Sequence, residues 1–454
     1  MSADPLAAAQ ASSLRRKLCL MMFLQIFIWG AWYEIGFSYI PALGFSKMEQ
    51  NLVFWAFNVG AVVALLFSTQ FADRKFAAEK FLGVSHMIGG LAMLGLFFLH
   101  PAPGQNADFW PFFALMLLHS VFYVPTVSIT NSIAFANLKD PAREFGPVRV
   151  WGTVGWIAAS WPFIFILVNW AAVPDLADVG FVNWLGKALG TPLEGATLRD
   201  GQRYVFLVAA LASFVLAAVS PLLPHTPPKP ATGDDALASL KAAKLLRHPF
   251  VAVLFLVTFI DAAVHQSFFY WTYDFLVGPI GIPSNWASPV MKIGQIAEIL
   301  TMLVLGWVLK RFGWRMTMTL GVLGHAARFA VFAYYPEPWA AVTVNVLHGV
   351  CYAFFFATVY IFVDEVFPKD VRSSAQGLFN LLILGVGPVA GTLVCGELRA
   401  QYTAGGKVEY PVVFMYSMFA ALVGSVILLL FFHPPKVTTG PLIDKPEEQA
   451  PPVA

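Results

Sequence analysis

The stretch Gly306-Trp-Val-Leu-Lys310-Arg311-Phe-Gly313-Trp-Arg315 decides the fold. It places a short basic loop between two apolar runs, 288–309 and 314–335. Each run has the ~20 residues needed to cross about 30 Å of hydrocarbon. Working outward, ten further runs of the same kind appear at 18–43, 51–72, 79–100, 108–136, 147–169, 202–224, 249–276, 338–362, 373–396 and 409–433. The composition agrees, at 58% hydrophobic and 12% charged over 454 residues, where soluble domains carry roughly 25% charged residues. The chain therefore reads as an all-α polytopic membrane protein with twelve transmembrane helices.

Charge placement orients it. With the N-terminus inside, the inner loops hold Arg15, Arg16 and Lys17, then Arg74, Lys75 and Lys80, then Lys139, Arg143 and Arg149. They continue with Lys229, Lys241, Lys244, Arg247, Lys310, Arg311, Arg315, Lys369 and Arg372. The outer loops hold only Lys47, Lys187, Arg199, Arg203, Arg399 and Lys407. That asymmetry predicts a multi-pass protein of the cytoplasmic (inner) membrane with both termini cytoplasmic. A net charge of +2 without a basic, aromatic-studded stripe gives no reason to expect a nucleic-acid partner. Cys19, Cys351 and Cys395 lie in or beside apolar runs, so neither a disulfide framework nor a metal centre is expected. The first run is too long for a signal-peptide core and is expected to persist as the first helix. No Gly-x-x-x-x-Gly-Lys-(Ser/Thr) run supports ATP-driven pumping, and no protease motif stands out; neither a cofactor nor an enzyme is expected.

The chain divides into a cytoplasmic segment 1–17, a six-helix bundle 18–224, a linker 225–248, a second six-helix bundle 249–433 and a disordered cytoplasmic tail 434–454. The linker opens on His225-Thr-Pro-Pro-Lys-Pro. It continues as a short amphipathic helix with Leu237, Leu240, Ala243 and Leu246 on one side. The halves echo each other. Phe71-Ala-Asp73-Arg74 follows the second run, where the opening stretch follows the eighth. Asp140-Pro-Ala-Arg143 and Arg149 precede the fifth, where Pro368-Lys-Asp370-Val371-Arg372 precedes the eleventh. Charged loops at matching places in two halves mark a duplicated transporter. The opening stretch resembles the inner-loop motif of the major facilitator superfamily, Gly-x-x-x-(Asp)-Arg-x-Gly-x-(Arg/Lys), and the first-half copy is degraded, with Thr69 where Gly is usual. The resemblance implies the six-plus-six fold of that superfamily. The long outer segment 170–201 contains Phe181-Val-Asn-Trp-Leu-Gly-Lys-Ala-Leu, read as a small surface helix that serves as lid or decoration.

Polar residues inside apolar runs are the functional candidates, because each is costly at that depth unless it faces a cavity or a partner. In the eighth run Lys292, Gln295, Glu298 and Met302 share one face. Glu298 is either a pathway acid or a structural carboxylate, and Lys292 is expected to snorkel outward. In the seventh, Gln266, Phe269 and Tyr273 form one stripe, with Asp261 and His265 beside it. The Asp–His spacing of four suits either a titrating pair or a packing pair. Gln266 beside aromatic rings suits recognition of a heterocycle or sugar. In the fifth, Arg149, Thr153 and Trp156 share a face, while Gly152 and Gly155 allow close helix approach. Arg149 serves either as a substrate contact or as an inner-end anchor. The tenth run carries His348, Tyr352 and Phe355, and the first carries Gln25, Trp29, Trp32, Tyr33 and Glu34. Aromatic stripes of this kind more often pack or face lipid. Glu34 is a second candidate for protonation, His119, Tyr123 and Asn131 are candidates for polar lining, and Arg328 pairs or snorkels.

Nearly the whole chain resembles the nucleoside:proton symporters of the major facilitator superfamily. The similarity is carried by Phe23-Leu-Gln-Ile-Phe-Ile-Trp29-Gly-Ala-Trp32, Tyr123-Val-Pro125-Thr126 and Arg149-Val-Trp151-Gly152-Thr153-Val-Gly155. It continues at Gln295-Ile-Ala-Glu298, Arg328-Phe-Ala-Val-Phe-Ala-Tyr and Arg372-Ser-Ser-Ala-Gln-Gly377. It implies binding roles for Arg149, Thr153, Trp156, Gln266, Gln295 and Glu298. Four departures stand out: Phe269 where Asn is typical, His348 where Tyr is, Tyr352 near it for Phe, and Ala353 in place of an Asp. Phe269, His348 and Tyr352 remain candidate substrate contacts. Loss of the Asp leaves Glu298, Glu34, Asp261 or His348 to carry the proton. The expected partners are a nucleoside, protons and the lipid bilayer, with the chain acting as a monomer by alternating access. A proton-coupled sugar or oligosaccharide carrier of the same fold is the alternative reading, and a membrane-embedded sensor or enzyme the third.

Overall fold

The computed structural model describes residues 5–67, 76–102, 104–228, 244–367 and 372–434. Helices run through almost all of it. In the first half they are α1 (Pro5–Tyr39), α2 (Lys47–Phe67), α3 (Ala78–Phe98), α4 (Phe109–Asn137), α5 (Pro141–Ala158, continued by Trp161–Ile166) and α6 (Tyr204–Val219). In the second they are α7 (Pro249–Val277), α8 (Ser284–Met291, continued over 293–312), α9 (314–334), α10 (Pro338–Val366), α11 (Ala375–Gln401) and α12 (Tyr410–Phe431). A two-stranded hairpin, Thr403–Ala404 with Lys407–Val408, joins α11 to α12.

Among the described residues, nine segments are by themselves long and apolar enough to cross a membrane. Ser284–Tyr334 is one of these at 51 residues, and it holds two crossings. It breaks at Gly313, whose φ of 70° and ψ of 175° take the chain out of the helix. That left-handed φ is open to Gly and strained for side-chain residues, which accounts for the glycine in the basic loop. α2 ends where the described residues stop, and α5 is interrupted at Ala159-Ser160. These account for the twelve crossings and for the expected all-α polytopic fold. Phe71-Ala-Asp73-Arg74, most of the linker helix 236–247, Pro368-Lys-Asp370-Val371 and the tail from 435 lie outside the described residues. α1 starts at Pro5, within the segment read as a cytoplasmic tail.

Helices of each half pack mainly among themselves, α1 with α5 and α6 and α2 with α4 in the first, α7 with α11 and α12 and α8 with α10 in the second. The halves touch along α1 and α7 and along α2 and α11. At one end the contact is sealed by backbone acceptors of the α5–α6 connection. Asn285 donates to the Ile164 and Leu189 carbonyls at 3.1 and 3.2 Å, Ser284 to Leu193 at 2.8 Å, and the Trp286 indole to Leu189 at 3.0 Å. Phe181–Leu189 is the short helix expected there, and its last carbonyl ties the connection to the start of α8.

Two helices carry π-helical turns, Tyr352–Ala357 in α10 and Leu381–Val386 in α11. Such turns shift the register of side chains and recur at functional sites. α8 and α10 approach closely because glycines face both ways. A methyl on Gly294 would lie 2.6 Å from Cβ of His348, and one on Gly349 would strike the backbone of Ala297 and Glu298. Gly155 likewise sits against the Phe23 backbone, joining α5 to α1.

A candidate substrate site where the halves meet

α5, α7, α8 and α10 deliver the expected side chains to one central region. Trp156 and Phe269 face each other edge to face with ring centroids 6.2 Å apart. Phe269 also meets His348 at 5.9 Å, and both rings are buried. Gln266 lies one turn from Phe269, and its Oε1 accepts from the Tyr33 hydroxyl at 2.8 Å. Tyr33 in turn packs edge-on against Phe269 at 5.3 Å. On the other side of Trp156, Trp29 meets it at 5.3 Å and stacks on Phe57 at 4.7 Å. Trp29 and Tyr33 therefore wall the centre of the molecule, where the sequence reading had favoured lipid contact or plain packing. The indole N–H groups of Trp156 and Trp29 have no hydrogen-bond partner among the described residues.

Arg149, Glu298 and Tyr352 form the second part of the site. The three side chains lie within electrostatic range of one another. Glu298 is half-buried and, among the described residues, is seen in no hydrogen bond or ion pair. Thr153 stands one helical turn from Arg149, also half-buried. Met302 on the same face as Glu298 is 44% exposed, so the polar stripe of α8 ends at the acid.

Two charged clusters flank this region. Lys292 does not snorkel. It is 1% exposed and donates to Glu34 Oε1 at 2.8 Å, with the Ser288 hydroxyl donating to Glu34 Oε2 at 2.8 Å. Its ammonium also lies 4.2 Å above the Trp156 ring. Lys292 stays inside because α8 begins at Ser284, more than two turns earlier, and the acid across the interface on α1 compensates its charge. Glu34 is thus an ion-pair member between the halves.

The second cluster is in the C-terminal half. Arg328, fully buried, pairs rather than snorkels: it places Nη1 3.0 Å from His348 Nδ1 and Nη2 2.8 Å from His325 Nδ1, and its guanidinium stacks 4.0 Å from the Phe268 ring centroid. Asp261 Oδ2 is 3.7 Å from His325 Nε2. The sequence reading joined Asp261 to His265, but the ring nearest its carboxylate belongs to His325, and His265 packs instead on His348 at 5.0 Å and Phe356 at 5.1 Å. Gln295 meets the other nitrogen of His348 at 3.0 Å, so hydrogen bonds link it through His348 and Arg328 to His325, with Asp261 3.7 Å beyond. His119 and Tyr123 do not line this site. They are buried in the first half, donating to the backbone oxygens of Gly89 and Gln25.

The described residues hold no group of three or more His, Cys, Asp or Glu side chains placed to bind a metal. What the centre offers is a box with aromatic walls, two glutamines, and an acid facing an arginine. That combination suits a small ligand that is flat on its faces and polar at its edges.

Known proteins share this arrangement of helices. The nucleoside transporter NupG, as a crystal structure, superposes with a TM-score of 0.74 at 24% identity, covering 93% of this chain and all of that one. The D-xylose-proton symporter superposes at 0.65 with 12% identity, over 92% of this chain and 97% of that one. These likenesses establish the fold. In sequence, a putative nucleoside transporter of Escherichia coli K12, YegT, is 32% identical over 425 residues, 91% of this chain and 92% of its own. The xanthosine permease of the same organism is 26% identical over 90% of this chain and 95% of its own. The model of the nucleoside H+ symporter family matches residues 12–184 and 176–437. With that match spanning nearly the whole chain, the protein belongs to the nucleoside H+ symporter family of facilitator-type transporters.

Proposed function

We propose that this protein imports nucleosides across the cytoplasmic membrane together with protons, as a monomer with both termini cytoplasmic. One observation carries the reading: Trp156, Phe269 and Gln266 gather where the two halves meet, beside Gln295 and Glu298 one turn apart on α8, and aromatic faces next to polar groups suit a flat heterocycle bearing a polar sugar. Relatives named for nucleoside and xanthosine transport point the same way. In this reading Trp156 and Phe269 bracket the base, Tyr352 flanks it, and Gln266, Gln295 and Glu298 bond base edges and ribose hydroxyls. Arg149 balances Glu298, and Thr153 offers a hydroxyl one turn away. Alternating access follows from a site shared by two rocking halves, with the seal between 284–286 and the α5–α6 connection as the outer gate.

The proton belongs to Glu298. Ala353 stands where the resemblance calls for an Asp, so that acid is lost. Glu34 is committed to Lys292 and Ser288. Asp261 faces His325 behind the site and serves to compensate Arg328. Among the described residues Glu298 has Arg149 for charge balance and no hydrogen bond of its own, so it can hold a proton while a ligand hydroxyl is bound beside it.

Uptake into proteoliposomes tests the proposal. Labelled uridine, inosine and adenosine, with a disaccharide as control, are offered with and without a pH gradient. Nucleoside accumulation that requires the gradient is expected. Uptake of the disaccharide alone would overturn the substrate reading; nucleoside uptake that ignores the gradient would remove the symport. Glu298→Gln should abolish accumulation and leave nucleoside exchange measurable. Wild-type accumulation in that variant would exclude Glu298 as the proton site.

A further inference from the structure

Arg328 determines which end of Gln295 is left for a ligand. A guanidinium carries N–H donors and no acceptor. Nδ1 of His348 and Nδ1 of His325, at 3.0 and 2.8 Å from it, must both accept. Each imidazole is therefore neutral with its proton on Nε2. On His325 that N–H points to Asp261. On His348 it points to the Gln295 amide, 3.0 Å away. An amide nitrogen at that position would set N–H against N–H. The atoms of an amide are told apart by their network, so the oxygen of Gln295 belongs there. The far end of the amide, which has no protein partner among the described residues, is then the NH2. Gln266 is set the same way, because its Oε1 already accepts from Tyr33.

Both glutamines thus keep the NH2 end of the amide free to donate, while Glu298, one turn along α8 from Gln295, can accept through a carboxyl oxygen. We propose that this pairing selects nucleosides whose base edge carries a carbonyl beside a ring N–H. Hypoxanthine and uracil present that pattern: the carbonyl accepts from glutamine and the N–H donates to the carboxylate. Adenine and cytosine present its reverse, an amino group beside an unprotonated ring nitrogen, which would set donor against donor and acceptor against acceptor. A site with fixed polar partners penalises a mismatched edge through groups left unpaired. The inference rests on the nucleoside reading above.

The test is direct uptake by the intact protein in proteoliposomes under a fixed pH gradient. Labelled inosine is compared with adenosine, and uridine with cytidine, each at concentrations below saturation. Inosine and uridine are expected to enter about tenfold faster than adenosine and cytidine, the ratio expected from a lost buried hydrogen bond. Gln295→Glu keeps an oxygen toward His348 and replaces the ligand-facing NH2 by an acceptor, so it should erase or invert both ratios. Equal or faster uptake of adenosine and cytidine by the wild type would overturn the inference, as would unchanged ratios in Gln295→Glu. Failure to take up any of the four would instead remove the nucleoside reading and this inference with it. The wild-type comparison stands without any variant having to fold.

Discussion

Each half of the molecule buries a polar cluster around one glutamine, and the two are connected differently. In the first half Gln25 donates through Nε2 to Thr126 at 2.9 Å, accepts through Oε1 from His86 at 2.9 Å, and takes the Tyr123 hydroxyl on its backbone oxygen at 2.5 Å. Both ends of the amide are used, and no charged side chain takes part in these bonds. In the second half Gln295 uses one end only. Its cluster contains Arg328 and Asp261, and Asp261 Oδ1 and Oδ2, His325 Nε2 and Arg328 Nε have no hydrogen-bond partner among the described residues. A closed circuit of neutral groups fixes helix packing and has nothing left to offer a ligand. An open circuit with charges inside it is costly to keep unless it works. The difference sets a closed, neutral cluster shared by α1, α3 and α4 against an open, charged one shared by α7 to α10.

The comparison is broken most severely at Arg328. Arg328→Met should leave the Asp261 carboxylate uncompensated and both histidines without their donor. Removing one partner of a buried charge pair costs about 3–5 kcal/mol, so the variant should unfold well below the wild type in detergent. Arg328→Lys should restore little, because one ammonium cannot hold two imidazoles in the geometry of a planar fork. A thermal shift assay decides it. A Met variant as stable as wild type would mean that the C-terminal cluster is packing material like its counterpart.

Much of this was legible in the chain itself. Twelve apolar runs, basic loops on one side and the Gly313 loop give the fold, because bilayer thickness and backbone hydrogen bonding leave few alternatives. Gln295 and Glu298 were visible because polar groups three apart in an apolar helix share a face. What stayed hidden depends on partners far along the chain. Lys292 looked like a snorkelling residue because Glu34 lies 258 positions away. Arg328 looked like an anchor, and its contact with His348 depends on how α9 meets α10. Tyr33 was one ring among several in α1, and only the approach of α7 turns its hydroxyl toward Gln266. Periodicity assigns a face to a residue, while the helix opposite that face is set by tertiary packing.

A second prediction concerns the charged link between the two halves. Glu34 and Lys292 are each 1% exposed and lie on opposite sides of the interface. Glu34→Gln should strand the ammonium, and Lys292→Met the carboxylate, each lowering stability by about 3–5 kcal/mol. The double variant should recover part of that loss, since neither charge is then left alone. Thermal unfolding of all four proteins gives the coupling. Additive losses would show that the pair does not join scaffold to binding half.

The smallest effect is expected in the closed cluster. Gln25→Leu keeps the approximate volume of the side chain, leaves the His86 N–H unpaired and removes the donor to the Thr126 hydroxyl, which still donates to the Tyr123 backbone oxygen. Stranded buried groups of this kind cost about 1–3 kcal/mol, less than a stranded buried charge in the other half, because no ionised partner remains. The decisive measurement is kinetic. If the first-half cluster is scaffold, uptake by the surviving folded protein should show an unchanged KM and unchanged preference among nucleosides, with only the amount of active protein reduced. Gln295→Leu should do the opposite, moving KM and selectivity while His348 remains held by Arg328. A shift in KM on replacing Gln25 would place both glutamines in the working part of the transporter, and the asymmetry between the halves would have to be sought in the charges alone.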